Sequence, residues 1–303
     1  MITTQSKLVY NLPRYKDRPL VEMEKSLNIG WSDLEPILQE HAGKRIFASA
    51  LEQTVSSEEL LCVLGRYIHF NSVFGSGVAN LAGEIGSRQD LFRDSDETVT
   101  LVADRSVEVA ADVFVAAIDE FGDHNNIRRS THRTLAQATL KAAGSFFGLS
   151  SAALDEIAQP YEATLAAMRR VRNGYRINQT IDEPKIFRAI GFHIASEVLA
   201  DEEFNVLDTY MRANQPELVE YLTKTRVPIG DSENAAYRWV QIHTSVEADH
   251  FAAAVKSANQ ALRYYAGSET QSRIKNWILD GFREFVEVQK EFMESLMKGK
   301  AAC

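Results

Sequence analysis

His243-Thr-Ser-Val-Glu247-Ala-Asp-His250 is the stretch on which the reading of this chain turns. It lies inside a helical pattern that runs from Asn234 to about Tyr265. At about 100° per residue, positions 243, 247 and 250 share a stripe roughly 60° wide. Two imidazoles and a carboxylate therefore project from one helix face over about 10 Å. Nitrogen and oxygen donors on one stripe suit a redox-active or Lewis-acidic transition metal. The competing reading of the triplet alone is a solvated face. Ile242, Val246, Phe251 and Ala254 flank it, and polar groups set among apolar ones must find partners.

Outward from that helix, the chain is dominated by helical signals. Ser32-Asp-Leu-Glu35 reads as a capping box opening a short helix. Residues 57–86 carry helical spacing, and the small residues of Phe74 to Gly83 suit close helix contact. Asp96 to Phe121 reads as a strong helix, broken by Gly122-Asp-His-Asn-Asn. Thr131 to Phe147 follows and stops at Gly148. Ser151 to Arg172 is expected to be helical and bent at Pro160. Pro184 suits the first turn of a helix from Lys185 to Met211, and Pro216 starts another. Val227-Pro-Ile-Gly-Asp231 reads as a turn, with Ser232 capping the helix of the opening motif. Ser268 to Lys298 forms a final amphipathic helix. Residues 1–31 read as an irregular N-terminal arm. The expectation is one all-α domain over 1–303, a bundle of about seven main helices.

Composition narrows the function classes. The chain has 303 residues, 45% of them hydrophobic, enough for a sizeable core. Its formal charge of -9 and pI near 5.4, without a basic run, speak against nucleic acid and anionic membrane as partners. No apolar stretch approaches the length needed to span a bilayer. The N-terminus has no secretory apolar region, and the two cysteines, Cys62 and Cys303, imply no disulfide framework. A cytoplasmic protein is the expectation.

Metal centres inside bundles draw ligands from several facing helices. Six residues are candidates: Glu120 at the end of its helix, His132 across the following loop, Glu197, and the triplet His243, Glu247 and His250. Three imidazoles and three carboxylates suit two irons with open or water-filled positions. Taken singly, Glu120 and His132 read as ordinary helix-end surface residues. Ala116, Ala117, Ile118 and Phe121 around Glu120 argue otherwise.

These segments resemble, in order, those of the haem-oxygenase-like diiron oxidases and oxygenases. Asp119-Glu-Phe-Gly-Asp with Thr131-His-Arg-Thr-Leu is similar to the family's Glu-aromatic-Gly and His-x-x-Leu elements. Gly191-Phe-His-Ile-Ala-Ser-Glu197 is similar to its Gly-His-x-x-x-x-Glu helix, with His193 displaced by one position. His243-x-x-x-Glu247-x-x-His250 resembles its last motif, where Asp is common in place of Glu247. The resemblance spans about residues 58–265. It implies a haem-oxygenase-like helical bundle, with Glu120, His132, Glu197, His243, Glu247 and His250 binding two irons and dioxygen as co-substrate. The gaps before His132 and before His243 are longer than the family's. His124 is the substitute for His132, and Glu203 for Glu197. Amine-oxygenating members carry a further carboxylate, for which Glu84 and Asp94 are the candidates.

Ferritin-like diiron proteins repeat Glu-x-x-His on two helices, and this chain has one match, Glu247-Ala-Asp-His250. A catalytic cysteine would have to be Cys62, which has no evident base. A haem site built on His69 and the Gly75/Gly77/Gly83 helix leaves three carboxylates unexplained. The resemblance points to a non-haem diiron oxygenase that N-oxygenates an amino acid or a derived amine in a biosynthetic pathway. Oxidative C–C cleavage or desaturation of an amino or fatty acid is the alternative, and a non-enzymatic helical interaction module is the alternative of another class. A small amine-bearing substrate and an external electron donor are the expected partners, and a homodimer is compatible. Arg105 and Lys141, on helices adjoining the proposed ligands, are the candidate cations for a substrate carboxylate.

Overall fold

A computed structural model describes residues 27–94, 103–122 and 130–296. Among them the chain is all-α, with two short antiparallel hairpins as its strands. The helices are α1 (Trp31–Glu40), α2 (Gly43–Glu52), α3 (Ser57–Asn71), α4 (Phe74–Gly86), α5 (Ser106–Glu120) and α6 (His132–Phe146). After them come α7 (Ser151–Ile157), α8 (Glu162–Gly174), α9 (Glu183–Asn214), α10 (Pro216–Lys224), α11 (Arg238–Arg263) and α12 (Gln271–Ser295). Strands β1 (Arg93–Asp94) and β2 (Ala103–Asp104) pair before α5, and β3 (Arg226–Ile229) and β4 (Ser232–Ala235) pair before α11. No helix of the described residues is long and apolar enough to cross a membrane.

Local chemistry explains most of the boundaries. Ser56, Thr131, Ser150, Asp182 and Thr270 each accept a backbone N–H of the first turn they cap. Gly148 follows α6 at φ +76°, a left-handed stop. Several expected boundaries move. Gly30, not Ser32, caps α1, and the Asp33 carboxylate accepts the Gly30 N–H at 2.9 Å. The 57–86 pattern splits at Ser72 and Val73. Pro160 ends one helix and precedes another rather than bending one, since its ring cannot join an interior ladder. Gly230 sits at φ +59° and lets residues 226–235 fold as a hairpin. Ser232 is consequently a strand residue, and α11 begins at Arg238. The strong helix read from Asp96 is helical over Ser106–Glu120 only, because Ala103–Asp104 pairs with Arg93–Asp94 as a strand; residues 95–102 lie outside the described residues, as do 1–26 of the N-terminal arm. The arm's last part docks on the body: Asn259 both accepts the Ile29 N–H and donates to the Ile29 carbonyl, at 2.7 and 3.1 Å.

Helix α9 is the central element and packs mainly on α12 and α11. Its contact with α12 is a backbone approach. A Cβ on Gly191 would stand 1.7 Å from the Ile278 carbonyl oxygen, and one on Gly281 1.8 Å from that of Arg188. Helix α4 lies along α5, and α5 in turn meets α11. The buried apolar side chains form one contiguous cluster from Ile29 to Leu296. At its middle, α5, α9 and α11 face one another with acids and imidazoles instead of hydrocarbon.

Candidate metal centre

All six residues singled out by spacing meet in that middle, in two groups. Glu120, His132 and His243 form one, and Glu197, Glu247 and His250 the other. Within each group one donor atom per residue lies within 4.8 Å of the others. Helix α11 supplies the stripe, α5 ends at Glu120, α6 begins at His132, and α9 presents Glu197. Gly75 on α4 leaves room for the Glu120 side chain, since a Cβ there would stand 3.1 Å from Glu120 Cβ.

The spacings leave room for a cation between the donors. His132 Nδ1 is 3.4 Å from Glu120 Oε1, and His243 Nε2 is 4.0 Å from the same oxygen. His250 Nδ1 lies 3.4 Å from Glu247 Oε2 and 3.5 Å from Glu197 Oε2. These exceed the usual hydrogen-bond range of about 2.7–3.2 Å. They approach the edges, roughly 3.0–3.5 Å, of a polyhedron whose metal–ligand bonds are about 2.1 Å. Glu247 belongs to both groups by contact. Its Oε2 faces His250, and its Oε1 lies 3.8 Å from His243 Nε2.

Two imidazoles are oriented for ligation by acceptor-only partners. His243 Nδ1–H donates to the Trp239 carbonyl at 2.7 Å, which leaves Nε2 as the lone-pair nitrogen toward Glu120 and Glu247. His250 Nε2–H donates to the Asp119 carboxylate at 2.8 Å, which leaves Nδ1 toward Glu197 and Glu247. A carboxylate or carbonyl behind a ligating imidazole is the usual way such a ring is held. His132 points Nδ1 at Glu120, and its Nε2 is buried without a hydrogen-bond partner.

Protonation follows from crowding. Burial raises the Glu120 carboxyl, but His132 and His243 outweigh it and hold the group at about 2. Burial likewise opposes ionisation of Glu197, and His193 and His250 pull it well below the usual carboxylate range. Burial pushes Glu247 up to about 7; the neighbouring Glu197 charge adds to this, against His250 and His243. Burial lowers His250, but Asp119 first, then Glu197 and Glu247, raise it far above an ordinary imidazole. The metal-free cluster therefore holds protons in a place where acids crowd together. A dication in their stead would neutralise the same oxygens.

The chain matches no family model and no curated protein. A narrow cavity touches both groups. Phe74, Val78, Phe204 and Phe285 form apolar walls, and Asn71 and Ser196 are polar points on them. Phe204 stacks on the His243 ring at 4.0 Å between centroids, and Trp239 meets it edge-on at 5.8 Å. Tyr67 lies behind both, while Phe70 stacks on Phe292, away from the imidazoles.

Other expectations fare differently. His124 lies outside the described residues. Glu84 and Asp94 join neither donor group and do not line the cavity. Asp94 instead pairs with Arg105 at 3.6 Å, and Arg105 also binds Glu108 at 2.8 Å. Lys141 is exposed, so neither expected cation lines the cavity. Arg133 does line a smaller neighbouring hollow, together with Glu120, His132 and His243. Asp119 was not among the candidates, although its place next to Glu120 on an otherwise apolar helix end is a signal. His193 is no member of either group but orients one: its Nδ1 is 3.1 Å from Glu197 Oε1. Tyr175 hydroxyl sits 3.3 Å from the same nitrogen and 2.7 Å from Ser196 Oγ.

Proposed function

We propose that this chain is a non-haem diiron oxygenase, related to the haem-oxygenase-like diiron enzymes, that N-oxygenates an amino acid or an amine derived from one. The observation that carries the reading is Glu247, whose two oxygens face one imidazole of each donor group. A carboxylate so placed suits two ions a few ångströms apart better than one. The donor set fits iron: two imidazoles with settled lone pairs, a third facing Glu120, and three carboxylates, all on helices. An interaction module would have no reason to keep this cluster buried in its core.

Glu120, His132 and His243 would hold one iron, and Glu197, Glu247 and His250 the other. When bound, ferrous ions supply electrons to dioxygen and leave positions for it, and an external donor restores them between turnovers. The chain's own groups do the rest. Asp119 and the Trp239 carbonyl fix the two ring orientations. His193 holds Glu197 from behind. Phe74, Val78, Phe204 and Phe285 keep water from the reacting centre, which protects reactive species and strengthens local electrostatics. The N-oxygenation outcome rests on the family resemblance.

The test is mass spectrometry of products formed from labelled dioxygen and amine-bearing substrates. Label on nitrogen, as a hydroxylamine or a more oxidised form, supports the reading. Loss of carbon, or of two hydrogens without label, would move the reaction to oxidative cleavage or desaturation and leave the metal assignment standing. Alanine at Glu120, His132, Glu197, His243, Glu247 or His250 should abolish oxygen consumption while helical content stays near wild type.

A further inference from the structure

One acid in the cavity has no part in either donor group. Glu203 lies six residues beyond Glu197 on α9, about 9 Å further along the helix axis, and it lines the same cavity. It is 3% exposed. Gln289 and Tyr67 adjoin the carboxylate. Gln289 Nε2 on α12 donates to Glu203 Oε1 at 2.6 Å. The Gln289 amide is fixed in turn, because its Oε1 lies 2.7 Å from His41 Nε2 in the link between α1 and α2. Gly43 makes that bond possible: a Cβ there would stand 2.0 Å from Gln289 Oε1 and 2.3 Å from His41 Nε2. Tyr67's hydroxyl adjoins the same carboxylate.

A buried acid oriented this carefully, held by neutral groups and with the like charge of Glu202 beside it, lacks a countercharge among the described residues. Among the described residues, no Lys or Arg lines the cavity. Burial pushes the carboxyl up to about 7, and no cationic side chain is among the groups that act on it. An ionised carboxylate in such surroundings is costly unless a cation completes it. With Glu120, Glu197 and Glu247 assigned to metal, Glu203 is the acid left to meet a ligand.

We propose that Glu203 is a substrate subsite that receives a primary ammonium group, held by the His41–Gln289 chain at the wall of the metal cavity. The proposal rests on the diiron reading only for the assignment of the other three acids. It makes the substrate class a small primary amine whose remaining chain lies along Phe74, Phe204 and Phe285.

The experiment titrates n-butylamine and, separately, n-butanol into ferrous-loaded, oxygen-free protein by calorimetry, at about pH 8, where Glu203 is ionised and the amine, like a lysine side chain, is protonated. Wild type should bind butylamine more tightly than butanol. Glu203→Gln should lose at least tenfold in butylamine affinity, keep its butanol affinity and keep its iron. Glu203→Met, which removes a buried charge at similar volume, gives the same comparison should the glutamine variant not fold. Equal butylamine affinity in wild type and variant overturns the proposal, and so does loss of iron, which would make Glu203 a ligand. Failure of the diiron reading shows separately, as wild type taking up no iron. The same butylamine comparison in metal-free protein then decides the subsite.

Discussion

Asp119→Asn isolates what the carboxylate behind His250 contributes. The bond from His250 Nε2–H to Asp119 Oδ2 is 2.8 Å, and both side chains are buried. Asparagine keeps a carbonyl acceptor of the same shape and removes only the charge. A hydrogen bond to a charged group contributes about 1.5–3 kcal/mol net, and a neutral one about 0.5–1.5. The difference, about 1–1.5 kcal/mol, is roughly a 5- to 15-fold loss of metal affinity. Asp119→Ala removes the acceptor as well and should lie toward the upper end of the roughly 10- to 100-fold range for such partners. The assay is anaerobic ferrous titration against a chromophoric chelator, with circular dichroism to verify the fold. The loss should fall on the site formed by Glu197, Glu247 and His250. The site of Glu120, His132 and His243 should change less, since the Trp239 carbonyl orients its ring. Wild-type affinity at both sites in Asp119→Ala would refute the reasoning.

Other outcomes follow from the same packing and charge. Burial holds Glu202 at about 7 in place of the ordinary 4.5, with Asp201 adding and Lys44 opposing. That cost is absent below about pH 4.5, grows as pH rises, and is complete above about 7, where it reaches about 3 kcal/mol. Glu202→Gln should therefore raise the urea midpoint at pH 8 and leave it almost unchanged at pH 4.5; an equal gain at both would contradict the assignment. Gly191→Ala should destabilise by about 3 kcal/mol in denaturant melts, because its methyl meets backbone on α12 that cannot turn aside. Metal binding should release protons and tighten as pH rises toward and through about 7, since metal displaces the proton that burial keeps on Glu247. Calorimetry in buffers of different ionisation heat reads that release, and a pH-independent affinity would argue against Glu247 as a ligand.

The period of an α-helix is enough to place His243, Glu247 and His250 on one stripe, and their apolar neighbours are enough to bury it. Glu120 closes one helix and His132 opens the next across a single loop, so their proximity follows from connectivity. Glu197 is a candidate by residue type, but nothing local ties α9 to α11, and its place among the ligands comes from the family resemblance. What stayed hidden depends on long-range docking. Asp119 meets an imidazole 131 positions away, and no pattern in the sequence links the two. Glu203 reads in the sequence only as a replacement for Glu197, because its cavity exists only once α9, α11 and α12 are packed. Arg105 and Lys141 belong to elements that carry ligands, but Arg105 turns to Asp94 and Glu108 and Lys141 is exposed. Ser232 reads as a helix cap by type, and the left-handed Gly230 gave that segment to a hairpin.

Iron stoichiometry tests the central claim most directly. The metal-free protein is loaded with ferrous iron without oxygen, excess metal is removed, and iron per chain is measured by elemental analysis and by Mössbauer spectroscopy of the enriched isotope. The account predicts uptake of two irons per chain, one held more weakly, both in nitrogen and oxygen coordination. Uptake of less than one iron per chain, or a preference for haem over ferrous iron, would contradict it.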